Sequence, residues 1–358
     1  FVCLAKTIRT AGFGAISVVL ALFLLQRGFS AIEVGAVFSL TLLEDAFVTS
    51  CATIAANRVG MRNVLFISCA IILIGGCILA FAEAKWLIVA AVVCGIVSPA
   101  GYEGGPFSAI EQSIVSQSVR TERLTRAFSW YNLSGFAGAA LGALMAGFCV
   151  LMMSAFPPVQ AYQVIFLLYA FSGIFLAGLY ASIQIVPIAS IAPITPITPI
   201  TPITPITPQV QERDLPKAEA NTLKNAFKKN DTGSNKYILK LACLQSIDAF
   251  GGGFVVQALL TCWFYQRYHV DATFLGPVFF GCNVIAALSF FAAPWVVKRI
   301  GLLNAMVFTH LPCSLGLCLL PFMPTAGAAA ALLLLRSGFS SMDIPARQAY
   351  TMLIVSEA

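Results

Sequence analysis

Arg58-Val59-Gly60-Met61-Arg62-Asn63 is echoed by Arg299-Ile300-Gly301-Leu302-Leu303-Asn304, about 240 residues further on. Each stretch interrupts long apolar runs, 33–56 and 64–82 around the first, 272–297 and 301–322 around the second. A hydrocarbon core of about 30 Å is crossed by about 20 helical residues, so each run is long enough to span a bilayer. Other pairs keep nearly the same offset and the same order. Gly12 matches Gly252, Gln26-Arg27 matches Gln266-Arg267, and Gly35 matches Gly276 after one insertion. Glu103 matches Asp343, and Glu111-Gln112 matches Arg347-Gln348 after a short gap. The chain therefore reads as two related halves.

Composition names the solvent. Hydrophobic residues make up 59% and charged residues 10%, where soluble chains carry about 25% charged residues. A surface so poor in charge belongs in lipid. The net charge of +6 lies in loops and one linker, not on a basic face, and points to no nucleic acid. The eleven Cys are scattered singly through apolar runs and read as packing residues, with no metal site or other cofactor expected. There is no phosphate loop, nucleophile elbow or zinc spacing, so an enzyme is not expected.

Ten segments are expected to span, near 7–26, 33–56, 64–82, 86–113, 127–153, 161–185, 238–265, 272–297, 301–322 and 326–355. This divides the chain into a six-helix half over 1–185, a linker over 186–236, and a four-helix part over 237–358. The linker centres on Pro193-Ile194-Thr195 repeated at period three through Pro208, which forbids a helix and favours an extended polyproline spacer. A basic stretch over 216–230 follows, suited to a short helix on the membrane surface. With the amino end inside, fourteen Lys and Arg fall in inner loops and linker against three outside, namely Arg27, Lys85 and Arg267. Cytoplasmic loops favour Lys and Arg, so the amino end is expected in the cytoplasm of a multi-pass protein, at the plasma membrane. Six helices separate the matching points, so the halves are parallel repeats about an axis along the membrane normal.

With these features the chain resembles the major facilitator superfamily over essentially its whole length. The loop Asn57-Arg58-Val59-Gly60-Met61-Arg62 is similar to the family's Gly-x-x-x-Asp-Arg-x-Gly-Arg-Arg loop, with Asn57 where the family usually has Asp. Arg126 to Gly135, Ser98 to Pro106 and Met342 to Gln348 also resemble family segments. Helix 5 carries Gly135, Gly138, Gly142 and Gly147, read as close helix packing, without the Gly-Pro pair of many drug–proton antiporters. The resemblance implies an all-α, two-half bundle of twelve helices, of which 6 + 4 are expected here, the last two lying beyond this chain. It also implies that helices 1, 4, 7 and 10 line a central cavity, and that Asn57, Arg58, Gly60, Arg62, Lys298, Arg299 and Gly301 form gating loops.

Ionisable groups inside membrane helices are costly and mark function or pairing. The candidates are Glu44, Asp45, Glu103, Glu111, Asp248, Arg336, Asp343 and Arg347. Glu103 sits beside Gly101, Gly104, Gly105 and Pro106, which loosen the helix; it is read as a proton-coupling group or as a carboxylate paired with an Arg such as Arg347. Asp343 and Arg347 are four apart and either pair with each other or leave Arg347 for an anion. Asp248 pairs with Arg9 or joins a proton path. Arg336, near mid-depth, is the single best anion contact. Asp45 or its neighbour Glu44 faces a helix outside this chain. The aromatics Tyr102, Trp130, Tyr131 and Phe254 are candidates to shape a site.

The expected function is secondary transport of a small-molecule substrate by alternating access, coupled to H⁺, in a monomer embedded in the bilayer. The alternative is a non-transporting membrane sensor or scaffold that keeps the fold, motivated by Asn57 and the long linker.

Overall fold

A computed structural model describes residues 1–101, 106–119, 121–182, 243, 246–247, 250–253 and 255–342. Among these there is no strand. In chain order the helices are α1 (Val2–Gln26), α2 (Ala31–Val59), α3 (Met61–Phe81), α4 (Lys85–Cys94), α5 (Phe107–Ser118), α6 (Thr121–Met152) and α7 (Pro158–Ser182). They continue with α8 (Gln257–Tyr268), α9 (Ala272–Ile300), α10 (Leu302–Leu319), a 3₁₀ turn over Leu320–Phe322, and α11 (Ala326–Ser340). Five described helices have spans long and apolar enough to cross a membrane: Val2–Gln26, Met61–Phe81, Ala127–Met152, Pro158–Ser182 and Ala272–Ala292.

The echoed stretches adopt the same local structure. Gly60 has φ +94° and ends α2 as α3 begins, and Gly301 has φ +84° between α9 and α10. No atom lies within 4 Å of a Cβ placed on Gly60, so glycine serves the left-handed backbone there and not a tight space. The Asn63 side-chain amide donates to the Val59 carbonyl at 2.9 Å, and Asn304 donates to Ile300 at 3.0 Å. Each amide covers one of the carbonyls that a helix end leaves bare.

The expected single helix over 86–113 is instead two pieces, α4 and α5. The local sequence explains the break. Ile96 is left-handed with φ +52°, Pro99 has no amide proton and disfavours helix at Ser98, and Gly101 has φ +85°. Interrupted backbone at membrane depth needs partners for its polar groups. The Tyr169 hydroxyl of α7 donates to the Ile96 carbonyl at 2.7 Å and to the Gly95 carbonyl at 3.3 Å. Pro99 accepts from the Ala258 amide at 3.0 Å. The expected helix over 238–265 is interrupted too, since Val255 and Val256 are not helical and α8 begins at Gln257. We expect Tyr169→Phe to leave the Ile96 carbonyl bare at a cost of about 1–3 kcal/mol. The check is the thermal unfolding midpoint in detergent; an unchanged midpoint would remove the hydroxyl from the account of the break.

The chain forms two compact units. In the first, α1 is the central pillar, buried on nearly every side and packed by α6, α7 and α8, while α3 packs on α7. Lipid supplies no hydrophobic force between helices, so close backbone approach must hold them. The Gly ladder of α6 lies on α1 and α9. A Cβ on Gly142 would overlap the Ala11 carbonyl, and one on Gly138 would overlap the Thr7 carbonyl. A Cβ on Gly276 of α9 would lie 2.8 Å from the Gly147 Cα. In the second unit α10 packs on α11, and Gly316 gives room for the Arg336 stem, 3.4 Å from the position a Cβ would take.

Candidate functional site

The apolar pillar α1 carries two cations one turn apart. Lys6 is 1% and Arg9 0% exposed. Burial of a charge is tolerable only with pairing and hydrogen bonds. α5 supplies the partner. Phe107 and Glu111 are four residues apart, hence on one helix face, and both meet Arg9. The Arg9 Nη2 donates to Glu111 Oε2 at 2.5 Å, and the guanidinium carbon lies 4.9 Å from the Phe107 ring centre. Glu111 is 0% exposed. Two further helices complete its shell. Tyr131 of α6 donates its hydroxyl to Oε2 at 2.8 Å, and Tyr180 of α7 makes a short hydrogen bond to Oε1. Lys6 caps the arrangement, with Nζ 3.6 Å from the Tyr131 ring centre. Phe13 lies on the other side of Arg9, 5.9 Å from its guanidinium carbon. Four helices thus meet at one carboxylate, and Arg9, Tyr131 and Tyr180 all donate to its oxygens.

A second polar node lies further along α1. The Gln257 amide of α8 donates to the Ser17 hydroxyl at 2.8 Å, and Thr261 donates to the Ser17 carbonyl at 3.4 Å. Ser17 and Gln257 are separated by 240 residues, the offset of the sequence repeat. Gly101 of the α4–α5 break lies against both, since a Cβ there would be 2.7 Å from the Ser17 hydroxyl oxygen.

The expected site residues are placed unevenly. Glu111 stands at the centre of the cluster. Arg9 pairs with Glu111 there; Asp248, the partner weighed for it from sequence, lies outside the described residues, as do Glu103, Asp343 and Arg347. Asp45 and Glu44 are half-buried on α2. Arg336 is part-buried on α11 in the second unit, where its Nε has no hydrogen-bond partner among the described residues. Of the loop residues, Arg58, Arg62, Lys298 and Arg299 are exposed. Arg62 donates to the Ala181 carbonyl at 3.1 Å and Arg299 lies over the Trp295 ring. The Asn57 side chain is outside the described residues. Among the described residues no group of three His, Cys, Asp or Glu could hold a metal ion.

Sequence reasoning passed over Lys6 and Tyr180 and treated Tyr131 only as an aromatic. Lys6 fell just outside a span drawn to start at residue 7, whereas α1 starts at Val2. A wheel drawn from Val2 would have placed Lys6, Arg9 and Phe13 at neighbouring positions three and four apart. Nothing in the sequence ties Tyr180 to Glu111.

The family model for the Major Facilitator Superfamily matches residues 2–358. An uncharacterised membrane protein of Saccharomyces cerevisiae is 25% identical over 353 residues, covering 95% of this chain and 77% of that protein. The fold is similar to that of a D-xylose–proton symporter, with a TM-score of 0.62 at 11% identity over 99% of this chain and 87% of that one. It is also similar to the nucleoside transporter NupG, with a TM-score of 0.63 at 13% identity over 99% and 86% of the two chains. A bacterial homologue of the human lysosomal transporter Spinster gives a TM-score of 0.61 at 14% identity over 99% and 77%. A family model spanning the chain, repeated halves and an all-helical fold shared with solved transporters place this protein in the Major Facilitator Superfamily of membrane transporters.

Proposed function

We propose that this protein moves a small solute across the membrane by alternating access, with H⁺ as the coupling ion and the Arg9–Glu111 pair as a coupling element. The observation that carries this reading is the complete burial of that pair among four helices. A proton added to Glu111 removes its charge and weakens its hold on the Arg9 guanidinium. The tie between α1 and the detached α5 then loosens, and the break before α5 allows that helix to shift without bending α4. Deprotonation restores the tie. Glu103, Asp248, Asp343 and Arg347 are proposed as further stations of the solute and proton path, with Asp45 and Arg336 flanking it. The same reading takes residues 1–185 and 237–358 as the two membrane parts joined by a cytoplasmic linker over 186–236. The protein is then a monomer with its amino end inside, at the plasma membrane.

The test uses the purified chain in proteoliposomes with a pool of radiolabelled sugars, amino acids, nucleosides and organic acids. An inward proton gradient should stimulate uptake of at least one pool member, and a protonophore should abolish the stimulation. Glu111→Gln should lose the response to the gradient. Uptake that ignores the gradient in every case would sink the proton-coupled reading.

A further inference from the structure

We infer that the solute is a small organic acid, and that its carboxylate takes the place of the Glu111 carboxylate on Arg9, Tyr131 and Tyr180. This rests on the transport reading above and adds a substrate class to it. The reason is the donor set. Around Glu111 the structure brings a guanidinium Nη2 and two phenolic hydroxyls, all donating to its two oxygens. A guanidinium is a permanent cation whose planar fork matches a carboxylate. A site that presents donors and positive charge recognises an anion and rejects a cation. A neutral polyol would leave the cation without a counter-charge in a low-dielectric interior, which is expensive. Glu111 thus acts as a tethered stand-in for the ligand.

The surroundings fit the rest of such a molecule. Phe13 and Phe107 flank the guanidinium with apolar rings, and the Lys6 ammonium lies on the Tyr131 ring. Two buried cations on one turn of α1 favour an anion in their neighbourhood whichever carboxylate supplies it. Exchange conserves charge. The solute enters as an anion, Glu111 takes one proton, and the two anionic carboxylates never share Arg9. One proton then accompanies each carboxylate. Among the described residues, the titratable and charged groups that meet Glu111 are Arg9 from α1, Tyr131 from α6 and Tyr180 from α7, with Lys6 of α1 on the Tyr131 ring. Cys69 of α3 is within electrostatic reach.

The experiment measures binding in detergent, without any gradient, by isothermal calorimetry. The probes are benzoate and acetate, with inorganic phosphate, glucose and tetramethylammonium as the comparison set. Benzoate or acetate should bind, with affinity that tightens as the pH is lowered, because one proton is taken up with the ligand. Glu111→Gln mimics the protonated residue, so it should bind the carboxylate at least tenfold tighter than the parent at pH 7.5 and lose the pH dependence. Tyr180→Phe removes one donor and should weaken carboxylate binding several-fold in a protein that keeps Arg9 and Glu111; it decides the matter if Glu111→Gln does not fold. Preference for phosphate, glucose or tetramethylammonium overturns the inference, as does a folded Glu111→Gln protein that binds carboxylates no better. Carboxylate binding with no proton-driven flux leaves this inference standing and removes the transport reading. Proton-driven flux of a different solute class does the reverse.

Discussion

Arg9→Met is expected to destabilise the folded protein by about 3–5 kcal/mol, because it leaves the Glu111 carboxylate buried without its cation. Met reproduces the unbranched stem out to the ε position, so the stem's packing is kept while the guanidinium over Phe107 and Phe13 is lost. Tyr131 and Tyr180 still donate to Glu111, but two neutral hydroxyls do not offset a full charge in an apolar interior. Glu111→Gln alone strands the cation in the same way, with the amide oxygen retaining one acceptor for the tyrosines. The double variant Arg9→Met with Glu111→Gln removes both charges together and should recover most of the loss. Unfolding midpoints and the folded fraction on size-exclusion chromatography, read as a double-mutant cycle, give the coupling directly. Two single variants that each cost under about 1 kcal/mol and add in the double would show that the pair does not hold α1 to α5. Transport separates stability from function: the double variant should fold and show no proton coupling.

Gly142→Leu is the second large effect. The Cβ position at Gly142 already overlaps the Ala11 carbonyl of α1. The obstacle is backbone of the central pillar, so no rotamer change can make room. Overpacking a core costs about 1–3 kcal/mol where neighbours can yield, and more is expected here because α1 and α6 must separate along their length. The separation would also pull Tyr131 of α6 away from Glu111. Gly178 of α7 provides the contrast, since nothing lies within 4 Å of a Cβ placed there. Gly178→Ala should be neutral or stabilise by up to about 1 kcal/mol through helix propensity. Folded yield in membranes measures both. If Gly142→Leu accumulates as well as Gly178→Ala, close approach of α1 and α6 is not what the glycine provides.

Part of the site was legible beforehand. Glu111 stood out because a carboxylate in an apolar run demands an explanation, and the Gly ladder of α6 stood out because small residues at helical spacing let backbones meet. The loosened stretch around Gly101 was expected, yet the break begins earlier, at Gly95 and Ile96, where the sequence carries no proline. Its early start depends on Tyr169, a residue on another helix that accommodates the freed carbonyls. Arg9 entered the sequence reading only as a possible partner of Asp248, and its complete burial is a finding of the structure. Asp248, the partner weighed from sequence, lies outside the described residues, and the meeting of Arg9 with Glu111 rests on where α5 lies in the fold.

By itself the sequence determined the membrane setting, the helical architecture and the family. These follow from local quantities, hydropathy over twenty residues and a recurring order of motifs, which no distant residue can alter. Tertiary structure decided which polar groups meet. Lys6, Arg9, Glu111, Tyr131 and Tyr180 come from four helices, with up to 174 positions between the first and the last. In lipid each buried charge and freed carbonyl must find its partner within the protein, and that choice depends on how the helices pack against one another.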